Sequence, residues 1–412
     1  MSNFRTRLVA GILALNSVTS APNRLSSRDG PTCTDFVIPI QASAPTQVFP
    51  QPPANITDPT ALLNYVTSFG SGSAGGLLGA VGTVITSGNY NISMRYCEPQ
   101  VADASRADTL QFLVHGISYD KNYWNGLGYD EYSWVDYATN QGYPTLAIDN
   151  LGNGESEHPD ALLVTQMTIQ VEIMHNIITM LRAGRLPKLA TKFSKVLLVG
   201  KFIVPLARNS EPKILGHSYG SICGNALATH YPTDIDTFVF TGYSGRFAFG
   251  AIPLLEGAPI PAIAENPERF SSIIDPLYFA QSVGSGRTAT FYTNPSSLGG
   301  FNQAAADYDF ANEGTVALGE VVTIFYGLGT ASDYTGNILV LTGENDAVAC
   351  NSLPAPDCGS GADSVPAQAG AFFPKANYTV VIPELTGHSV TLHNTAQQSF
   401  KVAHDFLSEK GF

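Results

Sequence analysis

The pentapeptide Gly216-His217-Ser218-Tyr219-Gly220 carries the most specific chemistry in this chain. A serine with glycine two residues away on each side suits a tight strand-to-helix turn. Side chains at the flanking positions would collide there, and the turn exposes the hydroxyl while aiming the next helix N-terminus at any negative charge that develops. The following stretch, Ser221–His230, reads as that helix. A serine hydroxyl needs a base, and the base needs an orienting acid. Asp346, in Gly343-Glu344-Asn345-Asp346, and His388, in Thr386-Gly387-His388-Ser389, follow in the order serine, acid, histidine. Glu344 is the alternative acid. Attack on a carbonyl also requires two backbone N–H donors for the oxyanion. Tyr219, just after the serine, and Ile117, just after His115-Gly116, are the candidates. Among the other histidines, His175 falls within a helical pattern, and His393 and His404 lie on or near a terminal helix, where surface or packing roles are expected. His158 and His230 fall outside the required order.

These residues must be held by strand ends. From Thr109 onward, short apolar runs alternate with helical periodicity, which predicts strand–helix–strand units and a mostly parallel sheet. Strands are expected at Thr109–Val114, Thr145–Ile148, Lys195–Val199, Asp236–Thr241, Asn337–Thr342 and Tyr378–Ile382, with helices at Thr168–Leu186 and Thr395–Leu407. Asp346 and His388 then follow strands, at the carboxyl edge where open α/β sheets place ligands. Earlier in the chain, Phe36–Ile40 and Asn91–Cys97 read as strands and Ser68–Gly88 is left unassigned. Residues 246–335 break the rhythm. They are rich in Pro, Gly, Phe and Tyr and fall between two strands, where a cap or lid would be inserted. Phe247, Phe249, Phe291, Tyr292 and Phe301 are candidates to line an apolar acyl or alcohol pocket, with packing of the cap's own core as the equal alternative for each.

One departure concerns the serine itself. The strand Lys195–Gly200 is separated from His217 by Lys201–Gly216, although a nucleophile elbow follows its strand directly. Deleting that stretch would join KVLLVG to HSYGS. Gly-Lys-Phe can be encoded GGTAAGTTC, with a donor-like GTAAGT, and Leu-Gly can be encoded CTAGGT, with an acceptor-like AG. Lys201–Gly216 is therefore read as a retained intron or, alternatively, a surface insertion; transcript sequencing separates the two.

Composition bounds the rest. The chain has 412 residues, 44% hydrophobic and 13% charged, ample for a buried core. Its formal net charge of -13 argues against a nucleic-acid partner. Arg5 and Arg7, the apolar run Leu8–Leu15 and the small residues Val18–Ala21 read as an export signal over residues 1–20, too short to span a bilayer, so a secreted, extracellular protein without a stable membrane anchor is expected. Five cysteines fit an oxidising compartment: Cys350 with Cys358 and Cys33 with Cys97 are the plausible bridges, leaving Cys223 as a buried thiol. Asn55, Asn91 and Asn377 stand in glycosylation sequons.

Taken together, His115-Gly116, Asp149–Ser156 (DNLGNGES), Gly216–Gly220, Asp346 and Gly387-His388 resemble the α/β-hydrolase superfamily, most nearly secreted fungal hydrolases with a single HG oxyanion motif. The resemblance runs from about Thr109 to the C-terminus. It implies an α/β-hydrolase fold: an eight-stranded, mostly parallel central sheet flanked by helices. The core would comprise 21–245 and 336–412, and a cap, 246–335, would be inserted between the sixth and seventh strands. It implies ester or related acyl hydrolysis without metal or organic cofactor, and it makes Asp149 a turn residue; the substrate expected is a small-molecule ester or lactone, apolar to match the aromatic candidates of 246–335. A peptidase of the same fold and a catalytically silent secreted binding protein are the alternatives.

Overall fold

The computed structural model describes residues 30–68, 80–189, 191–200, 218–244, 257–292, 299–327, 329–350 and 357–412. The large sheet is built from β1 (Cys33–Val48), β2 (Gly82–Cys97), β3 (Thr109–Val114), β4 (Thr145–Ile148), β5 (Lys195–Gly200) and β6 (Thr237–Thr241). Three short strands follow: β7 (Pro259–Pro261), β8 (Tyr278–Gln281) and β9 (Val316–Ala317). The chain then returns with β10 (Asn337–Leu341) and β11 (Asn377–Val381). Eight strands lie in the order β1-β2-β4-β3-β5-β6-β10-β11, and β7-β8-β9 form a separate small sheet. Pairing is parallel from β4 through β11 and antiparallel for β1 with β2 and β2 with β4. This is the α/β-hydrolase architecture.

Every residue of β3, β4 and β6 is buried, as in strands covered on both faces. Alternate side chains serve two cores. Phe112 and Ile148 pack with Ile173 and Ile177 of α1 (Met167–Ala183) and with Cys223 and Leu227 of α2 (Tyr219–His230). Leu113, Ala147, Leu197 and Val239 pack with Trp134 and with Phe400 and Leu407 of the terminal helix Ala396–Glu409. Helix α1 stops at Gly184, whose φ of 62° suits the left-handed cap.

The first two strands are much longer than the sequence pattern suggests, running 16 residues each. Burial in β1 alternates through Phe36, Ile38, Ile40, Ala42, Ala44 and Thr46. Its second half uses alanine and threonine, which carry the period weakly in a sequence. Pro39 and Pro45 weaken the pattern further, and both are tolerated because β1 is an edge strand.

Strand β5 lies near the middle of the sheet and ends at Gly200; the next described residue, Ser218, precedes α2. Lys201–Gly216, the expected export signal over residues 1–20, and Phe247 and Phe249 lie outside the described residues. Cys33–Cys97 and Cys350–Cys358 are bridged as anticipated, and Cys223 is free and buried. Among the described residues no helix is long and apolar enough to cross a membrane.

Candidate active site

Ser218 sits at the carboxyl side of the central strands with φ 36° and ψ 126°, a conformation few non-glycine residues adopt. Close packing fixes the turn. A Cβ on Gly220 would lie 2.4 Å from the Val114 carbonyl oxygen at the end of β3, so only glycine lets α2 start there. A Cβ on Gly116 would lie 2.5 Å from Ser218 Oγ, which places the His115-Gly116 turn directly against the hydroxyl.

Residues far apart in the chain meet at this point. Ser218 Oγ is 3.0 Å from His388 Nε2, and His388 Nδ1 is 2.8 Å from Asp346 Oδ2. Both His388 and Asp346 are fully buried. The other Asp346 oxygen, Oδ1, accepts the backbone N–H groups of Val348 at 3.0 Å and Ala349 at 2.6 Å. Glu344, the alternative acid, instead accepts the Leu385 N–H at 3.2 Å. Its neighbour Gly343 lets the acid loop cross the histidine loop, since a Cβ there would lie 2.2 Å from the Thr386 carbonyl oxygen. His393 is fully buried: its Nε2 accepts the Gly387 N–H and its Nδ1 donates to the Ser389 carbonyl, bracketing His388. His404 is also buried, and burial pushes its pKa down to about 4.

The oxyanion candidates are set by the peptide before Ile117. His115 Nδ1 donates to the Gly116 carbonyl at 2.7 Å, and Tyr119 N donates to the same oxygen at 3.3 Å. His115 Nε2 accepts the Asn150 N–H at 2.9 Å, so the ring is neutral, and burial lowers its pKa in the same sense. In a trans peptide the N–H points opposite the C=O, so holding the Gly116 carbonyl also aims the Ile117 N–H. The N–H groups of Ile117 and Tyr219 have no backbone acceptor among the described residues. Asp149 takes no part at Ser218. It is buried between Lys121 Nζ at 2.7 Å, Lys121 N at 2.6 Å and Glu155 N at 2.9 Å, and it anchors the segment after the His115-Gly116 turn. Gly116→Ala is expected to lower kcat/KM for an ester by about 10²-fold with an unchanged circular dichroism spectrum, because the new methyl displaces Ser218 Oγ.

The cleft at Ser218 is narrow and lined by Val114, Gly116, Tyr119, Tyr123, Trp124, Gly220 and Thr241. Its aromatic wall was missed from sequence, although Tyr119, Tyr123 and Trp124 lie within ten residues of His115-Gly116. Of the aromatic candidates from 246–335, Phe291 lies with its ring 5.6 Å from that of His388. Tyr292 and Phe301 pack on each other and on His393 and are not among the residues that line the cleft.

Across residues 111–398 the sequence matches the alpha/beta hydrolase family. The chain belongs to that family. Solved structures of alpha/beta hydrolases with similar folds include a thermophilic esterase from Thermogutta terrifontis (12% identity, 78% of this chain and 95% of that one, TM-score 0.48). Others are an esterase from Rhodococcus sp. ECU1013 (15%, 77% and 96%, TM-score 0.44) and a monoacylglycerol lipase from Paleococcus ferrophilus (13%, 73% and 94%, TM-score 0.44). No curated protein matches the sequence.

In this alpha/beta hydrolase a further carboxyl group lies buried behind the serine turn. Glu320 accepts Asn153 Nδ2 and Gln170 Nε2, each at 3.2 Å, and the Ala317 N–H at 2.9 Å, with no ion-pair partner among the described residues. Burial raises its pKa from 4.5 to about 8. The folded state therefore keeps a proton that the unfolded chain releases. This contribution to stability is complete below pH 4.5 and is lost as pH rises to about 8. The slope is at most about 1.4 kcal/mol per pH unit. Burial raises Glu313 in the same direction, also to about 8. Glu320→Gln should therefore lose less Tm between pH 5 and pH 8 than the wild type does, and equal slopes would refute the assignment.

Proposed function

We propose that this chain is a secreted serine hydrolase that cleaves carboxylic esters or lactones by two-step acyl transfer. The observation that carries this reading is the continuous path from Ser218 Oγ through His388 to Asp346, at 3.0 and 2.8 Å. With Asp346 accepting the Nδ1 proton, Nε2 is left as the basic nitrogen facing the hydroxyl. Ser218 attacks the carbonyl carbon as its proton passes to His388 Nε2, and Asp346 stabilises the imidazolium. The N–H groups of Ile117 and Tyr219 receive the oxyanion. His388 then protonates the leaving alkoxide, and water, deprotonated by the same nitrogen, releases the acid. The two disulfides are compatible with an extracellular location.

The test is a fluorophosphonate probe followed by peptide mapping, alongside a series of p-nitrophenyl esters and aminoacyl p-nitroanilides. Adduct on the Ser218 peptide and turnover of esters alone are expected. Turnover of the anilides in preference would replace the reading with a peptidase, and an unlabelled folded protein would replace it with a binding protein.

A further inference from the structure

The helix Gly284–Phe291 contributes one cation to the molecule, Arg287, and it is completely buried. Its Nε and Nη2 grip Asp309 as a fork, at 3.1 and 2.8 Å, and its Nη1 reaches Glu313 at 3.1 Å and Gln281 at 3.0 Å. All of these partners belong to 257–327, the part of the chain between β6 and β10. The remaining contacts leave that region. Nη1 donates to Ser118 Oγ at 3.1 Å and Nη2 to the Ser118 carbonyl at 3.3 Å. The guanidinium also lies 4.7 Å from the Tyr119 ring centroid and, within 257–327, 4.8 Å from that of Phe291.

Ser118 follows the oxyanion candidate Ile117 and has φ 59°, a left-handed conformation unfavourable for serine unless its surroundings impose it. Those surroundings are Arg287 on both oxygens and the Gly314 N–H on the carbonyl at 2.8 Å. The same cluster reaches the histidine loop. Asp309 Oδ2 accepts the Tyr119 hydroxyl at 3.1 Å, and that hydroxyl is 2.8 Å from the oxygen of Ser389, the residue after His388. The Ser389 N–H donates to the Phe291 carbonyl at 2.8 Å. A buried ion cluster is a poor source of net stability, because desolvating the charges offsets their attraction. Its geometric effect is to bind the oxyanion loop and the histidine loop to one rigid, planar group.

We propose that Arg287 is a positioning residue for the hydrolytic site: through Ser118 and the Asp309–Tyr119–Ser389 path it holds the Ile117 N–H and His388 in register with Ser218. The inference rests on the acyl-transfer reading for its kinetic consequence but not for the clamp itself. Lysine keeps the charge and loses the fork. Arg287→Lys is therefore expected to lower kcat for a p-nitrophenyl ester by about 30-fold with KM within about twofold, and to slow fluorophosphonate labelling in proportion. Ser118→Ala leaves the ion cluster intact and removes one loop contact. It should lower kcat by about threefold, and it tests the same link if the lysine variant does not fold.

Hydrogen exchange measured by mass spectrometry on a peptide spanning residues 115–121 reads the clamp whether or not esters turn over. Faster exchange there in Arg287→Lys, with the terminal helix unchanged, supports it. Unchanged exchange at 115–121 overturns the clamp, and faster exchange with wild-type kcat overturns the positioning role. A wild-type protein that neither labels nor turns over esters would sink the acyl-transfer reading while leaving the exchange result to decide the clamp.

Discussion

Ser218→Ala is expected to lower kcat/KM for a p-nitrophenyl ester by about 10⁵-fold or more and to abolish fluorophosphonate labelling, while the protein stays folded. The size follows from what is removed. Without the hydroxyl no acyl-enzyme forms, and His388 and Asp346 have no proton to take from the nucleophile. What remains is the oxyanion site and substrate binding, which in triad enzymes retain roughly 10³–10⁴-fold catalysis over water. Because the three groups act as a unit, adding His388→Ala to Ser218→Ala should cost almost nothing more. The single substitution exchanges a hydroxyl for hydrogen at a site where the strained backbone, not the side chain, makes the turn. Stability should therefore change little. Residual activity above about one per cent of wild type would remove Ser218 from the mechanism.

Asp346→Asn should lower kcat by about 10⁴-fold, and the hydrogen bonds around Asp346 say why. Oδ1 receives the N–H groups of Val348 and Ala349, so in asparagine that position must remain the carbonyl oxygen. The amide NH₂ is then forced to occupy Oδ2, facing His388 Nδ1. Two donors cannot meet there. Nδ1 must give up its proton and accept, which places the proton on Nε2, the nitrogen facing Ser218 Oγ. That tautomer cannot take the serine proton. Glu344→Gln is the matched control. Its carboxylate serves the Leu385 N–H, and activity should stay within about twofold, as for substitutions away from buried networks. A large loss there with a small one for Asp346→Asn would exchange the two roles.

The alternating apolar runs placed most strands of the large sheet because strands buried on both faces are apolar at nearly every position. The early strands escaped because β1 turns to alanine and threonine beyond Ile40, while β2 begins within a Gly-rich stretch. At the site, Ser218, Asp346 and His388 could be picked out from order and strand ends. The aromatics between β6 and β10 could not be sorted: Phe291 faces His388, whereas Tyr292 and Phe301 face His393. A side chain's direction there depends on helix placement, which no local pattern encodes.

What this sequence determines by itself is therefore the local chemistry around Ser218. Glycines at Gly220 and Gly343 answer to backbone contacts under 3 Å that exclude any side chain, Gly116 answers to the Ser218 hydroxyl, and such needs leave a readable mark at one position. What only the tertiary structure decided is the company of Arg287, Asp309, Glu313, Tyr119 and Ser118, together with the burial of Glu320. In sequence each is an ordinary polar or aromatic residue on a helix or loop. Their significance comes from losing water together, which makes pairing between distant residues obligatory, and that condition exists only once the chain is folded.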